Sequence, residues 1–435
     1  MNETIIAFAG LGAVIFLLFC RMPVAFAMAL VGFLGFAWVG GLKGALAVLG
    51  MIPFHTIANY NFTVVPLFIL MGEFAFHSGI SKGLYEFNYK WLGHLPGGLA
   101  MATIGGCALF AAISGSSFST GATMGTIALP EMKRYKYDPA LATGCVAAGG
   151  TLGILIPPSI GFIVYGILTE ESIGRLFIAG ILPGVLLASL FMLTIYLRVR
   201  LNPKLAPPGP VSSLKDRLIS LKGIWETATL FTVCIGGLYL GIVTPVEAGG
   251  VGAMGALTIG LAKRKLGWQN IFRAIVAAVE LTTMIFAIMF CAYIFGAFIA
   301  ISNLPFKLAE IIVALQLPSY LILVGILVIY IIAGCLMEFI AMMILTLPIF
   351  LPIVNALGYD PIWFGVIMVI MLEMAQITPP IGILVYTIKG VAGDDVPLST
   401  VFRGILPFWV AQGVCVAILI IFPQIALFLP TFLMK

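Results

Sequence analysis

Residues 149–159 read Gly-Gly-Thr-Leu-Gly-Ile-Leu-Ile-Pro-Pro-Ser, and residues 373–382 read Glu-Met-Ala-Gln-Ile-Thr-Pro-Pro-Ile-Gly. Both stretches lie within long apolar runs. A proline has no amide hydrogen to donate, and it disfavours helical backbone at the residue before it. Two successive prolines therefore end a helix inside each apolar run and leave carbonyl oxygens without intrahelical partners. The sequence predicts one broken helix in each half of the chain.

The composition indicates a protein whose surface faces lipid. Of the 435 residues, 62% are hydrophobic and 9% are charged, whereas soluble domains carry about 25% charged residues. A spanning helix needs ~20 mostly apolar residues, and no water is present in the bilayer core to pair with exposed backbone groups. We therefore expect an all-α polytopic membrane protein embedded in a lipid bilayer. Its apolar runs include residues 5–19, 24–39, 177–197, 230–243 and 405–429.

Several function classes are excluded by what the sequence lacks. We find no Ser/His/Asp constellation, no phosphate-binding loop and no Walker lysine, so we expect neither an enzyme nor a user of ATP. The net charge of +5 is small and dispersed through short loops. This distribution is typical of cytoplasmic loops in a membrane protein and not of a nucleic-acid-binding surface.

The chain contains an internal repeat of 222 positions. Four short motifs recur in order at this spacing, which is far longer than a solenoid repeat. The pairs are Pro23-Val24 with Pro245-Val246, Leu129-Pro130 with Leu351-Pro352, Tyr137-Asp138-Pro139 with Tyr359-Asp360-Pro361, and Pro157-Pro158 with Pro379-Pro380.

The polar stretch between the halves predicts how the repeats are oriented. Residues 198–223 are rich in proline and basic residues, as expected of a cytoplasmic connector. With this assignment, the loop at Arg21 lies inside and the equivalent loop at Glu247 lies outside. We therefore predict two inverted repeats, residues 1–197 and 224–435, an arrangement typical of secondary transporters.

One segment in each repeat mixes charged and apolar residues. Residues 81–91 and 303–312 both have the pattern of an amphipathic helix lying along the membrane surface. The alternative for each segment is an ordinary polar loop.

Four segments are candidates for a transport site, because discontinuous helices offer amides to anions and carbonyls to cations. They are residues 111–117 and 149–159 in the first repeat, and 334–338 and 373–382 in the second. Kinked packing helices are the alternative. Glu338 and Glu373 are acids within apolar stretches, which favours a functional role. A hydrogen-bonded structural acid remains the alternative for each.

The motifs at these segments resemble the large membrane subunit, DctM- or SiaM-like, of tripartite ATP-independent periplasmic (TRAP) transporters. The resemblance covers essentially the whole chain. It rests on residues 112–117 (Ala-Ile-Ser-Gly-Ser-Ser), 129–132 (Leu-Pro-Glu-Met), 153–160 (Gly-Ile-Leu-Ile-Pro-Pro-Ser-Ile), 357–366 (Leu-Gly-Tyr-Asp-Pro-Ile-Trp-Phe-Gly-Val) and 377–382 (Ile-Thr-Pro-Pro-Ile-Gly).

The resemblance implies a Na⁺-coupled importer of a small organic anion in the inner membrane of a bacterium or archaeon. The substrate would be a carboxylate, such as a C4-dicarboxylate, a keto acid, a sugar acid or a sialic acid. The partners would be a small four-helix membrane subunit and a periplasmic substrate-binding protein. Transport would follow an elevator mechanism, in which a domain built around the broken helices slides against a scaffold. A stand-alone carboxylate–cation symporter of similar inverted-repeat design is the alternative.

The resemblance also implies two Na⁺ sites and a substrate site. Family members often have serine at the position of Ala111. Alanine has no hydroxyl, so only a main-chain contact is expected at Ala111. Family members often have aspartate at the position of Glu338. The first Na⁺ site would comprise Ala111, Ser114, Gly153, Ile156 and Pro158. The second would comprise Gly334, Ala375, Thr378 and Ile381. The substrate-binding candidates are Ser116, Ser117, Glu338, Pro157 and Pro379.

Overall fold

The computed structural model of the chain describes residues 3–209, 211–314, 317–334 and 337–433, and every regular element in these ranges is helical. The first half contains α1 (Glu3–Phe19), α2 (Val24–Gly40), α3 (Leu42–Ala58), α4 (Val64–His77), α5 (Ile80–Leu92), α6 (Gly98–Ser114), α7 (Ser117–Arg134), α8 (Pro139–Leu155), α9 (Ile160–Thr169) and α10 (Ile173–Leu201). The connector contains α11 (Leu214–Ser220). The second half contains α12 (Trp225–Phe231), α13 (Gly237–Tyr239), α14 (Pro245–Ala262), α15 (Trp268–Ile301), α16 (Leu304–Ala314), α17 (Ser319–Gly334), α18 (Phe339–Ala356), α19 (Pro361–Gln376), α20 (Ile383–Ala392), α21 (Leu398–Ile421) and α22 (Gln424–Leu433).

The helices form a membrane protein with an apolar exterior. By length and composition, six of the described helices are able to cross a membrane, or eight spans if each of two bent helix pairs counts as one. Large apolar side chains lie on the outside, with Trp38 75% and Phe54 71% exposed. The apolar run over residues 405–429 does not form a single helix but is divided between α21 and α22. α21 ends at Ile421 because Pro423 disfavours helical backbone at Phe422, and α22 begins beyond it.

Helix boundaries repeat at the spacing of the sequence motifs. α7 and α18 begin and end 222 positions apart, and so do the first residues of α8 and α19. Each of these last two helices starts with proline after an aspartate cap. The Asp138 carboxylate accepts a hydrogen bond from the Leu141 amide at 2.9 Å, and Asp360 accepts one from the Ile362 amide at 2.8 Å. Aspartate at the cap and proline at the first helical position are favoured for the same reason in both halves.

The two broken spans, α8–α9 and α19–α20, run in opposite directions. Lys133, just before α8, forms a 2.8 Å ion pair with Asp395, just after α20. At the other face, the Tyr165 hydroxyl on α9 donates a 2.6 Å hydrogen bond to the carbonyl of Pro361, where α19 begins. The start of each span therefore lies beside the end of the other, as inverted repeats predict.

Each repeat also contains a helical hairpin, and the first of them enters and leaves on one face. α6 and α7 form the first hairpin, and α17 and α18 form the second. The Leu99 amide at the start of α6 bonds to the Tyr137 hydroxyl beyond the end of α7, at 3.2 Å. The first hairpin thus begins and ends at the same face, which makes it re-entrant. Positions 335 and 336, in the predicted second break, lie outside the described residues.

The connector packs against the first amphipathic segment. Residues 81–91 lie in α5, which buries Leu84 and Asn88 and exposes Lys82 and Glu86. The Trp91 indole donates a 3.3 Å hydrogen bond to the Arg217 carbonyl in α11. The predicted amphipathic segment of the second repeat lies mostly in helix α16. We call the face of the molecule that holds α5, α11 and the Lys133–Asp395 pair the connector face.

Candidate functional site

The first hairpin turns through three small residues. α6 ends at Ser114, Gly115 has a φ of +60° that glycine adopts without a steric penalty, and Ser116 caps α7. The Ser116 hydroxyl accepts a 3.4 Å hydrogen bond from the Ser119 amide. The Ser114 and Thr120 hydroxyls lie 2.6 Å apart. The turn therefore places three hydroxyl groups beside the exposed amides of a half-helix.

This turn interlocks with the first Pro-Pro break. A Cβ atom added to Gly115 would lie 2.9 Å from the Pro158 carbonyl oxygen, and one added to Gly153 would lie 2.5 Å from the Ser116 carbonyl oxygen. The Ile160 amide at the start of α9 donates a 3.4 Å hydrogen bond to the Gly115 carbonyl. Only a residue without a side chain at Gly153 permits this approach.

The interlock brings together most residues of the first predicted Na⁺ site. Ser114, Gly153 and Pro158 meet at the turn, all of them buried. The Ala111 carbonyl accepts a 3.3 Å hydrogen bond from the Gly115 amide, so it also faces the turn. Ile156 is half-buried at the end of α8. The set offers main-chain carbonyls and a hydroxyl, which are the oxygen ligands that a hard cation prefers.

The second hairpin approaches α19 in a similar way. A Cβ atom added to Gly334 would lie 2.1 Å from the Ala375 side chain. Beyond the turn, Glu338 caps α18 by accepting hydrogen bonds from the amides of Ile340 at 3.0 Å and Ala341 at 3.3 Å. Glu338 is therefore a hydrogen-bonded acid, which is the alternative given for it in the sequence analysis. Its carboxylate lies at the N-terminus of a half-helix.

The second Pro-Pro break is more open than the first. Pro157 and Pro158 are buried, whereas Pro379 is exposed and Ile381 is 38% exposed. Both Pro-Pro peptide bonds are cis. The Thr378 amide donates a 3.1 Å hydrogen bond to the Ala375 carbonyl, which joins these two predicted ligands. The Ile381 side chain faces away from the protein interior, so only its main chain is available to a site.

Sequence reasoning missed two residues that contact predicted ligands. Thr120 lies opposite Ser114. Ser117, Thr120 and Thr123 follow one another at three-residue intervals along α7, and this spacing in the sequence indicates hydroxyl groups on one side of the helix. Trp409 bonds to Thr378 at 2.9 Å from α21. No local pattern marks that tryptophan, because it is 31 residues away and reaches the break only through tertiary packing.

The two intramembrane acids have different surroundings. Glu373 is 1% exposed, and neither of its oxygens has a hydrogen-bond partner among the described residues. Its electrostatic neighbours are Ser117 on the first hairpin and Glu338 on the second. The two hairpins and α19 therefore converge on one buried polar region, which contains the N-termini of half-helices together with the acids Glu338 and Glu373.

Comparison with known proteins agrees with this architecture. Residues 11–425 match the family described as the tripartite ATP-independent periplasmic transporter, DctM component. The chain belongs to this family: it is a multi-pass permease of the bacterial inner membrane and not an enzyme, and transport in the family is independent of ATP.

Individual relatives support the same conclusion, and one solved structure has a similar fold. The C4-dicarboxylate TRAP transporter large permease DctM of Pseudomonas aeruginosa is 36% identical over 90% of this chain and 94% of its own length. The isethionate permease DctMQ of Oleidesulfovibrio alaskensis is 34% identical over 86% of this chain and 59% of its own length. The sialic acid permease SiaM of Vibrio cholerae is 30% identical over 95% and 96%. The fold resembles the YdaH transporter of Alcanivorax borkumensis, with a TM-score of 0.62 and 17% identity over 88% of this chain and 90% of that chain.

Proposed function

We propose that the chain is the large subunit of a Na⁺-coupled importer that carries a small organic anion across the inner membrane. The observation that carries the proposal is the interlock of Gly153 with the Ser116 carbonyl. The end of α8 lies against the hairpin turn, and the carbonyl and hydroxyl oxygens there are the ligands that we propose for a cation, beside the amides of a half-helix. Gly334 and Ala375 make the equivalent approach in the second repeat. Coupling to Na⁺ would supply the work that ATP does not.

The chemistry of the site favours an organic anion, and we propose that its charged group is a carboxylate. The α7 N-terminus, with the hydroxyls of Ser116 and Ser117, is suited to an anion. The relatives described above are named for C4-dicarboxylate, isethionate and sialic acid, all small organic acids. Glu338, Pro157 and Pro379 complete the proposed substrate site, and Glu338 would meet a hydroxyl or other donor group on the substrate.

The partners proposed are those of a tripartite system. The DctMQ relative extends well beyond the region matched by this chain, which leaves room in that protein for a second membrane component. For this chain, the proposed second component is a small four-helix membrane subunit. A periplasmic binding protein would deliver the substrate. A stand-alone symporter remains the alternative, and it would transport without either partner.

The mechanism proposed is an elevator. The moving domain would combine the hairpins, the broken spans α8–α9 and α19–α20, and the flanking helices α10 and α21. The scaffold would include α1–α4 and α12–α15. Both domains would then be assembled across the repeats 1–197 and 224–435, joined by the connector 198–223.

Uptake into proteoliposomes tests the function directly. The vesicles contain this chain and its small subunit, and the loaded binding protein is added outside. An inward Na⁺ gradient should drive accumulation without ATP, and omission of the binding protein should abolish it. Equal uptake with K⁺ replacing Na⁺ on both sides would contradict Na⁺ coupling. Full uptake without the binding protein would favour the stand-alone symporter.

A further inference from the structure

The Glu373 carboxylate has no basic partner among the described residues. It is buried on α19, and neither oxygen accepts a hydrogen bond among the described residues, including from the amides at the start of α7. Its electrostatic neighbours are a hydroxyl, Ser117, and a second acid, Glu338, with no basic side chain among them. An ionised carboxylate removed from water without a partner is strongly unfavourable, and a nearby like charge adds to the cost.

Two other acids of this protein, Glu226 and Glu338, are compensated. Glu226 is 2% exposed, and Lys263 pairs with it. Glu338 accepts two amide hydrogen bonds as the cap of α18. Glu373 is therefore the exception among these acids, because neither of its oxygens makes a hydrogen bond of normal geometry among the described residues, and the Ser117 hydroxyl is its one favourable neighbour named there, with no cation beside it.

Two further polar side chains beside Glu373 are also unpartnered. Gln376 lies three residues further along α19, where side chains share one face of a helix. It is 2% exposed, and neither atom of its amide has a partner among the described residues. Ser117 is 1% exposed, and its hydroxyl oxygen is likewise unpartnered in the described part of the chain. Two carboxylate oxygens, an amide oxygen and a hydroxyl oxygen are thus available in one buried region.

We propose that Glu373, Gln376 and Ser117 form a third Na⁺ site, separate from the two sites built on the Pro-Pro breaks. The ligands are oxygens, which hard cations prefer, and the ion supplies the positive charge that Glu373 lacks. The site joins α19 to the first hairpin and lies near Glu338, the cap of α18 in the second hairpin, so a bound ion stabilises the approach of both hairpins. This inference rests on the Na⁺ coupling proposed above.

Equilibrium binding of ²²Na⁺ to the purified complex of this chain with its small subunit, without substrate, tests the site. Glu373→Gln keeps the shape of the side chain and removes its charge. We expect the variant to bind one Na⁺ fewer per chain than the wild type, and the cooperativity of Na⁺-dependent uptake to fall. Glu86→Gln removes an exposed negative charge on α5 and should bind as many Na⁺ ions as the wild type.

The outcomes separate this inference from the proposed function. A wild-type complex that binds no Na⁺ contradicts Na⁺ coupling itself. If the wild type binds Na⁺ and the folded Glu373→Gln variant binds the same number of Na⁺ ions per chain, only the third site is overturned. Glutamine resembles a permanently protonated acid, so this result would mean that Glu373 is protonated and holds no ion. If that variant does not fold, Gln376→Met and Ser117→Ala decide: each should raise the half-saturating Na⁺ concentration severalfold, and unchanged binding in both overturns the site.

Discussion

The Trp409 indole nitrogen donates a 2.9 Å hydrogen bond to the Thr378 hydroxyl, which itself donates a 2.6 Å hydrogen bond to the Met374 carbonyl. A hydroxyl has one hydrogen to donate and two lone pairs to accept with, so one lone pair of Thr378 is left for a cation. Trp409 therefore orients a proposed Na⁺ ligand from a different helix, α21. The break in α19–α20 is held in place by a side chain that lies outside it.

Thr378→Val should raise the Na⁺ concentration for half-maximal uptake about ten-fold or more, because it removes the hydroxyl and nearly keeps the shape. A hydrogen bond to a charged group contributes ~1.5–3 kcal/mol. Thr387→Val is the matched control, since that hydroxyl bonds only within α20 among the described contacts. Trp409→Phe should raise the same concentration less, through loss of orientation. An unaltered Na⁺ dependence in folded Thr378→Val protein would remove Thr378 from the site.

Gly334→Ala should disable transport, because the new methyl group would lie 2.1 Å from the Ala375 side chain. Overpacking costs typically ~1–3 kcal/mol, enough for a roughly ten-fold loss of uptake. Ala375→Gly in the same chain should restore much of the rate by removing the opposing methyl group. Uptake assays at matched amounts of folded protein measure both effects.

The control for this pair is Gly325→Ala on the same helix, where an added Cβ meets no atom within 4 Å. It should transport as well as the wild type. If Gly334→Ala were harmless, or if Ala375→Gly gave no rescue, the close approach of α17 and α19 would not be needed for transport.

Gly72→Ala should impair movement between scaffold and hairpin. Gly72 lies on α4, and an added Cβ would be 2.6 Å from the Ser114 carbonyl at the hairpin turn. The elevator mechanism requires these surfaces to slide, so the variant should disfavour the conformation seen here and slow uptake. Gly250→Ala on α14, which has no atom within 4 Å of the added Cβ, is the control.

Accessibility of a single cysteine at the half-buried Ser116 of the hairpin turn to a bulky maleimide, with and without Na⁺, measures the same movement without adding a Cβ at position 72. The elevator predicts that labelling at this position changes with the transport state. Labelling that stays constant while transport proceeds would argue against sliding at this surface.

Arg21 and Glu247 should lie on opposite sides of the membrane, with Arg21 cytoplasmic. The connector face carries Arg217, Lys133 and Lys263, and basic residues are concentrated on the cytoplasmic side of membrane proteins. Single cysteines at positions 21 and 247, in a chain freed of native cysteines, should react with an impermeant maleimide from opposite sides. Reaction of both from the same side would require parallel repeats and a different mechanism.

Much of the architecture followed from the sequence alone. Apolar runs predicted an all-helical membrane protein, because bilayer thickness and the backbone's need for hydrogen bonds restrict the available structures. The 222-residue spacing predicted a repeated unit, and the basic connector predicted that the two repeats are inverted. The Pro-Pro pairs and the Gly115 turn predicted where helices break, since proline and glycine act on their own backbone. These effects are local, so they can be predicted from the sequence without knowledge of the tertiary structure.

Only the tertiary structure decided which of these breaks meet and which polar groups have partners. Glu338 and Glu373 read alike in the sequence, yet one caps α18 and the other has no partner among the described residues. Trp409 reached Thr378, and Gly334 reached Ala375, by packing between helices that are distant in the chain. Contacts of this kind depend on how close helices approach, which is determined by side-chain volume across the interface and not by the periodicity of either helix.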